Sequence, residues 1–392
     1  MKIRLLVFAA YAARPLAVLF YAAIKLLRPV QHKITFISRQ SDLTPVDFTL
    51  LMHELNQQDR SLKIKLLCCS DATRSKRFLG HLRYTLIELW HIANSSAVIL
   101  DGYALSVSYF PQRKGLYVLQ MWHTLGILKR ISWQAVDTLG GRDSRVARAF
   151  RMHANYSALL VSGEAFREIY RHAFRTARTR IQVVPPPRVD ILRKPDMNRI
   201  DMLIMQHSEF FARTPLIFYA PTFRDCPEAS RRWIADLKAL LAVVEARGAT
   251  LILKTHMREC AGNHDEGMQL PTSPNLIVNP EVDTLDLLVI VDHVITDYSG
   301  VAFEAATAGK PLWFYIPDHD DYCKGRGLNV DPVQYMPDAC FDDPERLMAA
   351  LSQASLPSTQ QEQFLHAFVQ PQEKAGITSA KRIARLVLQS IQ

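Results

Sequence analysis

The chain has 392 residues, more than one hydrophobic core usually serves, so two domains are expected. A hydrophobic content of 48 %, with no low-complexity tract and no repeat of fixed period, excludes a disordered or solenoid protein. The net charge of +9 points to an anionic partner and leaves nucleic acid, an anionic membrane surface and a phosphorylated substrate open.

Residues 1–41 contain no Asp or Glu but carry Lys2, Arg4, Arg14, Lys25, Arg28, Lys33 and Arg39. Two apolar runs, 5–13 and 16–24, are separated by Arg14 and Pro15. A spanning helix needs about 20 predominantly apolar residues. This stretch nearly reaches that length, with a charge and a helix breaker at its middle. Residues 1–30 are therefore read as a basic-apolar membrane-associating segment lying in the interface. A single span, a cleaved signal peptide and an ordinary buried helix are the alternatives.

Beyond it, β-rich runs at 33–38, 64–69, 97–100, 116–121, 158–162 and 181–184 alternate with helical patterns such as 48–58 and 164–174. Pro185, Pro186 and Pro187 break the series, since three prolines continue neither a helix nor a central strand. A second series follows at 216–220, 251–254, 276–278, 293–296 and 312–315, with helical patterns at 231–247 and 301–308. Strand–helix alternation predicts α/β domains with parallel sheets, here over 31–187 and 188–392. Ligands of such sheets bind beyond the carboxyl ends of the strands.

Four polar clusters fall at those ends: Trp122-His123-Thr124-Leu125-Gly126-Ile127-Leu128-Lys129, Pro221-Thr222-Phe223-Arg224, Lys254-Thr255-His256 and Thr296-Asp297-Tyr298-Ser299-Gly300. The last opens a helix that Gly309 stops, so its first N–H groups, Ser299 and Gly300 suit a phosphate. Simple capping by Asp297 or Ser299 is compatible with that. His123 and His256 are the acid–base candidates, although a lone histidine after a strand is commonly structural. Arg224 and Arg326 sit in loops where a guanidinium could fork onto phosphate, or be a solvated charge. Asp318, Asp320 and Asp321 surround His319. A divalent cation is possible there, but the spacing matches no metal signature, so no metal ligand is assigned. Arginines crowd 142–180, read as a solvated helical face or a contact for lipid headgroups. No nucleic-acid-binding signature is present. Six cysteines without CxxC spacing are read as free thiols of a reducing compartment.

Together these clusters resemble the CDP-glycerol glycerophosphotransferase family of teichoic-acid and capsule synthesis, from about Lys33 to Asp331. The run Thr35-Phe36-Ile37-Ser38-Arg39-Gln40-Ser41 is similar to its opening strand and loop. Trp122-His123 with Gly126 and Lys129 is similar to its Trp-His motif. Pro187-Arg188-Val189-Asp190 is similar to its hinge element, and Ala220-Pro221-Thr222-Phe223-Arg224 to a donor-side motif. The stretch 292–327 is the most specific match. Thr124, Met257 and Gly300 depart from the common pattern of Gly, Pro and Ser.

The resemblance implies a GT-B-like fold of two Rossmann-like domains with a cleft between them. The implied reaction moves glycerol phosphate or ribitol phosphate from CDP-glycerol or CDP-ribitol to a hydroxyl of a lipid-linked acceptor and releases CMP, at the cytoplasmic face of the membrane. His123 is then the expected base. His256 is expected at the donor pyrophosphate with Arg224, Ser299 and Gly300, and Arg326 and Gly327 flank the donor. The motif positions Lys129, Lys254, Thr296 and Asp297 are expected at the substrates. The short chain favours a primase or simple transferase over a processive polymerase. A nucleotide-sugar glycosyltransferase on the same fold is the alternative enzyme, and a non-catalytic membrane scaffold the alternative outside enzymes.

Overall fold

The computed structural model describes residues 2–70, 73, 78–211, 215–222, 224, 226–255, 269–353, 358–372 and 376–392. Two six-stranded sheets divide the chain, and every strand pair in them is parallel. The first contains β1 (Lys33–Ser38), β2 (Lys63–Cys68), β3 (Ala97–Leu100), β4 (Tyr117–Gln120), β5 (Ala158–Val161) and β6 (Ile181–Val183), in the order β2-β1-β3-β4-β5-β6. The second contains β7 (Leu216–Ala220), β8 (Thr250–Leu253), β9 (Leu276–Val278), β10 (His293–Thr296), β11 (Leu312–Tyr315) and β12 (Cys340–Phe341), in the order β12-β11-β10-β7-β8-β9. Central strands such as β3 and β7 are apolar along their whole length because helices cover both sheet faces. This is the two-domain α/β architecture expected. The two-residue β12 carries too little pattern to be foreseen.

In both sheets the strand order reverses once, between β1 and β3 and between β7 and β10. Those reversals open the crevices where ligands of doubly wound sheets bind. The prolines at 185–187 join the halves, and Arg188 just beyond them is a clasp. Its guanidinium donates to Asp47 of the first domain at 2.8 Å and to Glu304 of the second at 2.9 Å. Asp190 accepts from the backbone N–H groups of Ser379 and Ala380, at the start of helix Ser379–Ser390. Ile383, Ala384 and Val387 of that helix pack with Ile34, Phe36 and Phe48, so the last helix returns to the first domain's core.

Helix Lys2–Leu27 runs unbroken through Pro15. The helix breaker noted there does not interrupt it: Tyr109 of the first domain donates to the carbonyl of Ala10 in the turn before the proline and pins the helix. Val7, Ala10, Arg14, Ala17, Tyr21 and Ile24 recur at spacings of three and four and form its partly or fully buried stripe. Leu5, Phe8, Leu16, Leu19 and Leu26 are each at least 66 % exposed. By length and composition the helix could cross a membrane. Helix Phe78–Ile92 packs beside it and exposes Leu82, Leu86 and Trp90, with Arg28 over the Trp90 ring at 4.3 Å.

Candidate active site

The cleft rim on the first domain is built at the carboxyl ends of β1, β3 and β4. Asp101 follows β3 and is buried, with Ser38 donating to its carboxylate at 2.5 Å and the Arg39 N–H at 3.3 Å. Burial outweighs those hydrogen bonds and raises its pKa to about 6. The Asp101 carbonyl lies 3.0 Å from His123 Nδ1. A carbonyl oxygen only accepts, so Nδ1 donates, and in the neutral ring Nε2 is then the acceptor. Trp122, in a left-handed backbone conformation with φ 63°, donates its N–H to Gln120 and stacks obliquely on His123 at 4.5 Å. Behind it His153 lies buried between Trp122 and Phe174, bonded to Tyr156 at 2.9 Å. Burial, helped by Arg142, lowers the His153 pKa to about 3, so this ring stays neutral packing material.

The opposite rim is built at the ends of β7 and β10. Asp297 is fully buried and accepts from Thr222 N–H at 2.8 Å and from Arg224 Nη1 at 2.7 Å. Arg224 also forks onto Asp318 through Nε at 2.9 Å and Nη2 at 3.3 Å, and onto the Thr222 carbonyl. Its guanidinium lies about 5.5 Å from the Tyr298 and Tyr322 rings, which stack on each other at 3.8 Å. Burial would depress the guanidinium, but Asp297 and Asp318 outweigh it and keep the charge fixed. Arg224 is only 5 % exposed, so it braces the loops instead of reaching into open cleft. Thr296 is likewise buried, donating to the Ala220 carbonyl at 2.7 Å. Ser299 Oγ accepts from Val301 N–H at 3.4 Å, the capping contact weighed from sequence. Lys254 Nζ donates to the Val282 carbonyl at 2.7 Å, and burial lowers its pKa.

The rims touch through two glycines. A Cβ on Gly300 would lie 2.7 Å from the Gly126 carbonyl oxygen and 3.2 Å from the Thr124 side chain. One on Gly126 would lie 2.4 Å from the Phe303 ring and 2.5 Å from that of Phe166. The close approach that Gly300 permits is therefore to the facing loop. A second bridge forms lower down: Leu328 pairs with Lys129, Arg130 N–H donates to Gly327 O at 2.9 Å, and Arg326 Nε donates to Arg130 O at 3.2 Å. Gly327 needs its φ of 77° there. Gly300, next to Ser299, thus meets Thr124 and Gly126 of the loop that begins at His123, with Lys129, Arg326 and Gly327 on the neighbouring bridge. Arg224, Asp297 and Thr296 stand behind the second rim. His256 lies outside the described residues.

The acidic loop disperses. Asp318 is bound to Arg224, Asp321 to Arg232 at 2.6 Å, and Asp320 lies outward, 87 % exposed. Asp101, Asp47, Arg188 and Glu304 were not singled out from sequence. Asp101 follows a strand, as the four clusters do, but as a lone residue; the clasp joins positions 116 and 141 apart in sequence. No disulfide joins Cys68, Cys69, Cys226, Cys323 and Cys340, the cysteines among the described residues.

Comparison with known proteins gives a consistent picture. Residues 20–389 match the family model described as CDP-glycerol:poly(glycerophosphate) glycerophosphotransferase. The chain is 28 % identical over 327 residues to the teichoic acid ribitol-phosphate primase of Bacillus spizizenii strain W23, covering 81 % of each. It is 26 % identical over 355 residues to the teichoic acid glycerol-phosphate primase of Bacillus subtilis strain 168, covering 87 % of this chain and 88 % of the relative. The wall teichoic acid polymerase TagF superposes with a TM-score of 0.71 at 18 % identity over 99 % of this chain and 98 % of the other, a likeness of fold.

Proposed function

The chain belongs to the CDP-glycerol:poly(glycerophosphate) glycerophosphotransferase family, and on that premise we propose that it transfers a polyol phosphate from CDP-glycerol or CDP-ribitol to a hydroxyl of a lipid-linked acceptor. The observation that carries this reading is His123. Its Nδ1 is tied to the Asp101 carbonyl, which in the neutral ring makes Nε2 the acceptor, and it sits on the loop whose Thr124 and Gly126 face Gly300. In the proposed step His123 Nε2 takes the proton of the acceptor hydroxyl, whose oxygen attacks the phosphorus bearing the polyol. The bond from that phosphorus to the bridging pyrophosphate oxygen breaks, and CMP leaves. Such transfers need positioning and charge stabilisation more than covalent chemistry. Ser299, His256 and Arg326 are the groups proposed for the pyrophosphate, with Gly300 and Gly327 setting the loops that carry them. Lys129 and Lys254 add positive charge at the rims. Arg224, Asp297 and Thr296 act by holding those loops.

The acceptor side is proposed to lie on the cytoplasmic face of the membrane. The exposed apolar residues of helix Lys2–Leu27, continued by Leu82, Leu86 and Trp90, form a surface of a kind that soluble monomers rarely expose. With Arg4, Arg14, Lys25 and Arg28 alongside, it suits an anionic bilayer. Leu16→Glu with Leu19→Glu is expected to move the protein off phosphatidylglycerol vesicles in a flotation assay; retention on them would count against this surface.

The activity test incubates detergent-purified protein with CDP-glycerol, then with CDP-ribitol, and with lipid extract containing acceptor. CMP release with one donor, reduced about 10²–10⁴-fold in His123→Ala, is expected. Absence of release with both donors would reject the polyol-phosphate reading in favour of a nucleotide-sugar donor.

A further inference from the structure

Helix His319–Gly325 follows β11 and carries a group of side chains that the transfer step does not use. His319 and Cys323 are four residues apart and therefore share one helical face. The chain leaves the helix at Arg326, crosses to the first domain through Gly327, Leu328 and Asn329, and returns to the helix at Asp331. His319 Nε2 lies 3.0 Å from Asp331 Oδ1 and 3.6 Å from Cys323 Sγ, and all three atoms lie within 4.8 Å of one another. Ligands around a tetrahedral ion with bonds of about 2.0–2.3 Å stand roughly 3.3–3.8 Å apart, so these atoms already approximate one face of such a site.

We propose that His319 Nε2, Cys323 Sγ and Asp331 Oδ1 form a zinc-type metal site that closes the base of the bridging loop 326–330. The donor set decides the ion. A thiolate beside an imidazole and a carboxylate selects zinc over magnesium or calcium, which prefer oxygen alone. Three protein ligands leave a fourth position for water. The surroundings favour a cation: Asp331, Asp320 and Asp318 place negative charge around the Cys323 thiol. Asp331 Oδ1 also accepts from Val333 N–H at 3.0 Å, which orients the carboxylate. The role is structural. The loop so closed presents Gly327 O to Arg130 and Asn329 N–H to Leu128 O, two of the contacts that join the domains.

The test uses untagged full-length protein, stripped with a chelator and titrated with Co²⁺, then Zn²⁺. One equivalent of Co²⁺ is expected to give thiolate charge-transfer absorption and the intense visible bands of a tetrahedral ion, displaced by Zn²⁺. In Cys323→Ser the charge-transfer band is expected to vanish and zinc retention to weaken at least about tenfold, with circular dichroism confirming the fold. In the wild type, zinc is expected to slow amide exchange at Gly327 and Asn329 and to protect Cys323 from alkylation. Absence of the charge-transfer band, or its persistence in Cys323→Ser, would overturn the site; unchanged exchange at 326–330 with zinc bound would overturn the staple.

Discussion

The two rims of the cleft fix their functional groups by different physics. On the first domain, His123 is oriented by a backbone carbonyl and by aromatic packing, with the buried carboxyl of Asp101 beneath. On the second, Asp297 and Asp318 grip the buried guanidinium of Arg224, and Tyr298 and Tyr322 wall it in. The first arrangement orients an imidazole through one of its ring nitrogens. The second locks charge into a scaffold, where it can neither titrate near neutral pH nor move without unfolding the loops.

The sharpest way to break this comparison is to remove the locked charge. Arg224→Met leaves Asp297 buried without its cation, and breaking a buried pair from one side costs about 3–5 kcal/mol. Urea denaturation followed by circular dichroism is expected to show a loss of that size. A loss under 1 kcal/mol would mean that the second rim is no more charge-locked than the first.

The next effect separates the rims by pH. Burial chiefly raises the pKa of Asp101 from the ordinary 3.8 of a carboxyl to about 6 in the fold. A raised carboxyl pKa means that the fold favours the protonated form. Its stabilising contribution is fully present below about 4 and is lost as pH rises through 6. At about 1.4 kcal/mol per pH unit, the loss reaches up to about 3 kcal/mol. In Asp101→Asn that loss is absent, so the stability of the variant relative to wild type should climb between pH 4 and 7. A difference independent of pH would place the Asp101 carboxyl in a solvated setting.

How far the sequence foretold these rims follows from the range of the interactions. The parallel sheets were legible because β3, β7 and β10 are local apolar runs. The rim loops were legible because each directly follows its strand. The roles within them were less so. Arg224 reads as a phosphate ligand beside Pro221 and Thr222, and only Asp297 and Asp318, 73 and 94 residues on, turn it into a brace. The Arg188 clasp and the return of helix Ser379–Ser390 also depend on contacts between distant positions. Pro15 reads as a helix breaker on local propensity alone, and only Tyr109, which holds that turn from outside the helix, shows why the helix runs through it.

The glycine contact tests whether the rims must touch. Gly126→Ala would press a methyl group into the Phe166 and Phe303 rings, an overpacking worth about 1–3 kcal/mol. Gly300→Ala meets a backbone oxygen that yields less readily than a side chain, so the rims should part. Its effect is expected mainly on turnover, with CMP release falling more steeply than the thermal midpoint. Equal losses of both would make the contact a general packing feature with no special bearing on the cleft.

The smallest stability effect belongs to the residue with the largest part in the proposed chemistry. In His123→Asn, the side-chain amide can donate to the Asp101 carbonyl in place of Nδ1, so the rim keeps its hydrogen bond. Stability should then change by less than about 1 kcal/mol, the net worth of one hydrogen bond. The variant has no nitrogen lone pair to take a proton, because an amide nitrogen is a donor only. Turnover should therefore fall about 10²–10⁴-fold at nearly unchanged stability. Such a split, measured as CMP release against the denaturation midpoint, is what a rim built to move a proton requires. If turnover survived, His123 would be packing material like His153, and the distinction between the rims would reduce to how each is held together.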